Sequence, residues 1–142
     1  MDEVSDEFVD WEKFSHMRTE LGASFVRILG YFREDGEKAV GKIEEAMHRR
    51  DAAALVIPAH TMKSEARQFG ADPLATLAEE IEFAGRRAVE SQLFPDQILP
   101  QVAKLRSTYV QTIDLLEQET NPLVARRQAF GKKPSNQEFG RL

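Results

Sequence analysis

Few side chains in this 142-residue sequence can do chemistry. There are three histidines, His16, His48 and His60, and no cysteine. Without cysteine there are no disulfides, thiolate zinc sites, iron–sulfur clusters or cysteine nucleophiles. Glu45-x-x-His48 matches half of a bundle di-iron motif, but such a site needs the motif twice and it occurs once. None of the three histidines has another three or four residues away, so zinc spacing is absent as well. His48 reads as a helix-end residue favourable to the helix dipole, and His16 reads as surface.

His60 has different company. Leu55, Ala59, Met62 and Ala66 recur at helical spacing and define a buried face. His60 lies about 100° round from Ala59, at the border between core and water. Lys63 is one turn along on the same side, Ser64 follows, and Arg67 is two turns along. An imidazole beside two cations and a small hydroxyl residue suits an anion such as a phosphoryl group, with Lys63 as a point charge.

The turn Gly70-Ala71-Asp72-Pro73 supplies a partner. His60 stands eleven residues before Ala71 and Glu82 eleven after it. At ~1.5 Å rise per residue, both lie roughly 15 Å from the turn on adjacent antiparallel helices. A Glu82 carboxylate there can accept a hydrogen bond from His60 Nδ1–H, fix the tautomer and leave Nε2 as a lone-pair nucleophile. The same spacing also suits a surface His60–Glu82 pair without chemistry, worth under about 1 kcal/mol.

The elements that must position these residues are helical throughout. Asp10 caps a short helix through Trp11, Phe14, Met17 and Arg18 that ends near Gly22. Phe25, Ile28, Leu29 and Phe32 continue through Ala39, Ile43, Ala46 and Met47 as one apolar stripe. Asp35-Gly36 is a candidate break in it. Asp51 opens the helix of His60. Gly70 suits the left-handed position that closes that helix, Asp72 offers its carboxylate to free N–H groups, and Pro73 is pre-set for a first turn. Leu74, Leu77, Ala78, Ile81, Ala84 and Ala88 form the next stripe, ended by Phe94-Pro95-Asp96. A last helix carries Ile98, Val102, Leu105, Tyr109, Ile113 and Leu116, its start blurred by Pro100.

Each long helix has one stripe to hide, so the expected fold is all-α: an antiparallel four-helix bundle with a short extra N-terminal helix and a flexible C-terminal tail. The expected domains are an acidic N-terminal segment 1–9, a bundle 10–119 and a basic tail 120–142. A net charge of -5 and a pI near 5.3 argue against nucleic-acid binding, which needs a basic face. No run approaches the ~18 apolar residues of a membrane span. Met1-Asp2-Glu3 is acidic where a signal peptide is basic. The expectation is a cytoplasmic protein.

The segment Ala59-His60-Thr61-Met62-Lys63-Ser64-Glu65-Ala66-Arg67-Gln68-Phe69-Gly70-Ala71 resembles the signature of the histidine-containing phosphotransfer (HPt) domain family. That pattern is roughly Ala-His-x-Leu-Lys-Gly-Ser-Ser-x-x-x-Gly-Ala. His60, Lys63, Gly70 and Ala71 match in identity and Met62 in character. Leu74, Leu77 and Ile81-Glu82 downstream, and Leu29, Phe32, Ile43, Ala46 and Asp51 upstream, stand where the family has comparable residues. The resemblance spans about residues 10–118. It departs where the family's Gly and Ser pair are Ser64 and Glu65-Ala66. Ser64 is small enough for a partner to approach the imidazole. Glu65, about 140° off His60 on the wheel, is expected to do little harm.

The resemblance implies a phosphoryl carrier in a two-component phosphorelay, without kinase activity of its own. His60 would be the phosphoacceptor, Lys63 would offset phosphoryl charge and Glu82 would hold Nδ1. Implied partners are response-regulator receiver domains and a histidine kinase, docking on Ala53, Ile57, Ser64, Arg67, Phe83 and Arg86. No cofactor is expected on this chain, Mg2+ coming with the receiver, and the chain is expected to be a monomer. The alternative is an HPt-like helical adaptor that binds such partners without phosphotransfer. A bundle metalloenzyme is a third reading.

Overall fold

A computed structural model describes residues 3–120. The expected basic tail 120–142 falls, from residue 121 on, outside the described residues. Six α-helices run in chain order: α1 (Glu3–Phe8), α2 (Trp11–Leu21), α3 (Phe25–His48), α4 (Ala53–Gln68), α5 (Asp72–Ser91) and α6 (Leu99–Thr120). Single 3-10 turns, Gly22–Ser24 and Asp96–Ile98, lead into α3 and α6. No strand occurs among the described residues. α4 packs on α5 most extensively, α3 on α4, α5 on α6 and α6 back on α3. Short connections make neighbours antiparallel, and the ring closes as an all-α four-helix bundle.

The apolar stripes meet in one core that includes Leu29, Phe32, Ile43, Leu55, Met62, Leu74, Ile81, Leu105 and Leu116. Each such side chain contributes roughly 1.5–3 kcal/mol on burial. α3 does not break at Gly36 but runs through it as one helix. The reason is packing, because a Cβ at Gly36 would collide with the buried ring of Tyr109 on α6. Gly36 is thus a point where the α6 side chain Tyr109 comes close to the α3 backbone, and the two flanking turns carry the helix across it.

The N-terminal helices fasten the end of the bundle where α4 turns into α5. Asp10 caps α2 as expected, its carboxylate accepting from the N–H groups of Glu12 and Lys13. Within the segment 1–9, expected only as an acidic end, Glu3–Phe8 forms α1 and Val9 after it is buried. α2 is then tied to the α4–α5 turn. Asp10 N–H donates to Gly70 C=O at 2.8 Å, and Lys13 Nζ meets Asp72 at 3.0 Å. Asp72 therefore does not cap α5 with its side chain, contrary to expectation. Its carboxylate is turned to Lys13 instead. Edge-to-face contacts run from Trp11 through Phe14 and Phe25 to Phe69, which stacks on Phe32 at 5.2 Å. Such pairs add about 0.5–1.5 kcal/mol each, and here they pin the C-terminal end of α4. No helix among the described residues is long and apolar enough to cross a membrane.

Candidate functional site

Two devices set the register between α4 and α5. Asp51 accepts from Ala54 N–H at 3.2 Å, which starts α4. Gly70 takes φ 78°, and a Cβ there would lie 2.6 Å from Asp10 C=O. The chain can therefore reverse here at low cost only with glycine. Pro73 sits in the first turn of α5, where its missing N–H is unneeded. With the turn fixed, α4 and α5 descend side by side and bring His60 opposite Glu82. Pro58 stands in α4 two residues before His60 and the helix continues through it.

His60 Nδ1 lies 3.1 Å from Glu82 Oε2. The His60 side chain is 50% exposed and Glu82 is 3% exposed, so a half-wet imidazole is held by a buried carboxylate. Since a carboxylate only accepts, Nδ1 carries the proton and donates it to Glu82. The ring's other nitrogen, Nε2, bonds no described residue.

Glu82 has further partners. Lys63 Nζ is ion-paired with Oε1 at 2.7 Å. Arg86 donates from Nε at 2.9 Å and from Nη2 at 2.7 Å to Oε2, the oxygen that also takes His60. Burial works against the Glu82 charge, but Lys63, Arg86 and His60 together outweigh it and hold the carboxyl at about 2. Glu82 is thus ionised at any physiological pH.

Lys63 is turned inward. Its side chain is 14% exposed, and its ammonium lies 5.3 Å above the Phe83 ring as well as against Glu82. The spacing of Lys63 from His60 had suggested a charge aimed at an anion, whereas the geometry makes it first a partner of Glu82. Arg86 was expected only as docking ground. Its grip on Glu82 was legible as an i,i+4 acid–base pair on one helix.

The remaining candidates surround the imidazole. Ala53, Ile57, Ser64 and Arg67 share the exposed stripe of α4 with His60, and Phe83 and Arg86 are exposed on α5. Ile57 is 68% exposed, as its place outside the core stripe implied. Arg67 is held across the hairpin by Glu79 at 3.1 Å, a partner that sequence spacing had not shown. Glu65 lies on another face of α4 from His60 and is only partly exposed. It lies against Asp35 of α3, and burial together with that neighbouring carboxylate pushes it up to about 7.

The other histidines stay apart from this cluster. His16 pairs with Glu20 on the surface, and His48 is exposed in the last turn of α3. Glu44, four residues before His48, is bound to Arg106 of α6. Among the described residues no three His, Asp or Glu side chains gather as a metal site.

The model of the Hpt domain matches residues 27–120, which hold α4, α5 and the whole His60 cluster. A solved structure, the histidine-containing phosphotransfer protein B (HptB) from Pseudomonas aeruginosa PAO1, superposes with a TM-score of 0.69 at 23% identity. The match covers 79% of this chain and 93% of that one, and at this identity it speaks for the fold. No curated protein sequence matches. With two-thirds of its length matched by that domain, and His60 set on the bundle's outer face, the chain belongs to the Hpt domain family.

Proposed function

We propose that this protein is a phosphoryl carrier of a two-component phosphorelay, with His60 as the phosphorylated residue. The observation that supports this best is the half-exposed imidazole whose Nδ1–H is held by the buried, ionised Glu82. In the proposed step the Nε2 lone pair attacks the phosphorus of an aspartyl phosphate on a receiver domain. The N–P bond forms as the P–O bond breaks, and the aspartate leaves with the electron pair as a carboxylate. The Nδ1 proton stays in place, so the ring becomes cationic and Glu82 stabilises it. Transfer onward to another receiver is the same step reversed, and a kinase phosphohistidine is a second possible donor.

Family membership implies receiver domains and histidine kinases as partners. The stripe Ala53–Ile57–Ser64–Arg67 with Phe83 and Arg86 is the proposed docking ground. Magnesium is expected with the receiver, whose carboxylates would hold it. The chain is proposed to act as a monomer in the cytoplasm, carrying phosphate without kinase activity.

The test is acid-labile phosphate incorporation from a phosphorylated receiver. The native protein is expected to take up close to one phosphoryl group per chain, and His60→Gln none, with its helical circular dichroism unchanged. Equal labelling of both would reject His60. Receiver binding without labelling of either would establish the adaptor reading instead.

A further inference from the structure

Two cations touch Glu82, and their surroundings differ. Lys63 is nearly buried, its ammonium enclosed by Glu82 Oε1 and the face of Phe83. Moving it outward toward a group on His60 Nε2 would loosen its hold on a buried carboxylate, which is costly in a dry setting. Arg86 is 52% exposed and binds only Oε2, through Nε and one N–H of Nη2. It sits within two hydrogen-bond lengths of the imidazole, because His60 Nδ1 uses that same oxygen. Its remaining N–H groups, including both on Nη1, bond no described residue. A guanidinium presents its donors as a planar fork, so it can keep one edge on a carboxylate while offering the other to a second anion.

We infer that Arg86 is the cation that meets the phosphoryl group on His60, while Lys63 is a positioning residue that braces Glu82. The assignment rests on the proposed phosphorylation of His60. Phosphorylation places about two negative charges on Nε2. Arg86 bridges these charges to Glu82, and the carboxylate, now sharing less of Arg86, attends more closely to the cationic ring. Lys63 keeps Glu82 in place during the exchange.

The experiment labels the full-length protein chemically with phosphoramidate, so that no docking surface enters, and follows the phosphohistidine by 31P NMR against pH. His60→Gln identifies the resonance of this site against those of His16 and His48. A neighbouring cation lowers the pH at which a phosphoryl group takes its proton. Arg86→Ala is therefore expected to raise the 31P midpoint by about one pH unit, as removal of one charge-assisted contact should. Arg86→Lys is expected to restore most of it, and Lys63→Met, which keeps an apolar stem over Phe83, to move it by less than about a third as much. A larger shift from Lys63→Met than from Arg86→Ala overturns the assignment, and so do equal shifts or none. If native protein gives no His60 resonance, the phosphocarrier reading falls and this assignment with it. A His60 resonance governed by Lys63 leaves that reading standing and removes the assignment alone.

Discussion

At the scale of single residues, the unusual feature is how heavily one carboxylate is subscribed. Glu82 receives an imidazole, a guanidinium and an ammonium while itself almost fully buried. This arrangement fixes a charge where the ring needs one and prevents Glu82 from taking a proton instead. In Glu82→Gln the amide can donate as well as accept, so the Nδ1–H tautomer is no longer enforced. Nitrogen NMR of His60 is expected to show mixed tautomers, and phosphoryl uptake is expected to slow by at least about tenfold through loss of the ring's counter-charge. The same substitution leaves Lys63 and Arg86 without their anion, and urea unfolding at pH 7 is expected to show a loss on the order of 2–3 kcal/mol.

At the scale of elements, two glycines of α3 make opposite predictions. Gly36 lies where α3 presses on Tyr109, whereas a Cβ at Gly41 meets nothing within 4 Å. Gly36→Ala is expected to destabilise by about 2 kcal/mol, since overpacking a buried ring outweighs the gain in helix propensity. Gly41→Ala is expected to stabilise by about 0.5–1 kcal/mol on propensity alone. Thermal or urea denaturation of the pair checks both. In the sequence Asp35-Gly36 reads as a candidate break, because Asp-Gly is a turn dipeptide, and nothing local marks it as a packing contact. Which of the two glycines was a contact depended on a residue 73 positions downstream, Tyr109. Asp72 teaches the same lesson. Its position after Gly70 suits a cap, but a lysine from α2 claims the carboxylate first.

For the molecule as a whole, two carboxyl groups oppose each other across the pH scale. Glu82 is held near 2 against an ordinary value of 4.5, so its contribution is complete above about 4.5 and is lost as pH falls toward 2. Glu65 is raised from 4.5 to about 7, so its contribution is complete below 4.5 and is lost as pH rises through 7. Burial also raises Asp114, in the same sense as Glu65. Urea midpoints measured from pH 3 to 8 are therefore expected to peak in the mildly acidic range. Glu65→Gln is expected to flatten the alkaline limb and to add about 1 kcal/mol at pH 8, a value discounted for the part of the side chain that water still reaches. What the sequence by itself determined was whatever one helix can express: the apolar stripes, the Asp10 cap, the reversal at Gly70, and the equal distances of His60 and Glu82 from that reversal. Those are local, because periodicity and φ preferences act over a few residues. Tertiary structure decided which way side chains turn when several partners compete. It sent Lys63 inward to Glu82, gave Arg67 to Glu79, and set Glu65 against Asp35, since a charge settles where burial and opposing charge across helices balance best.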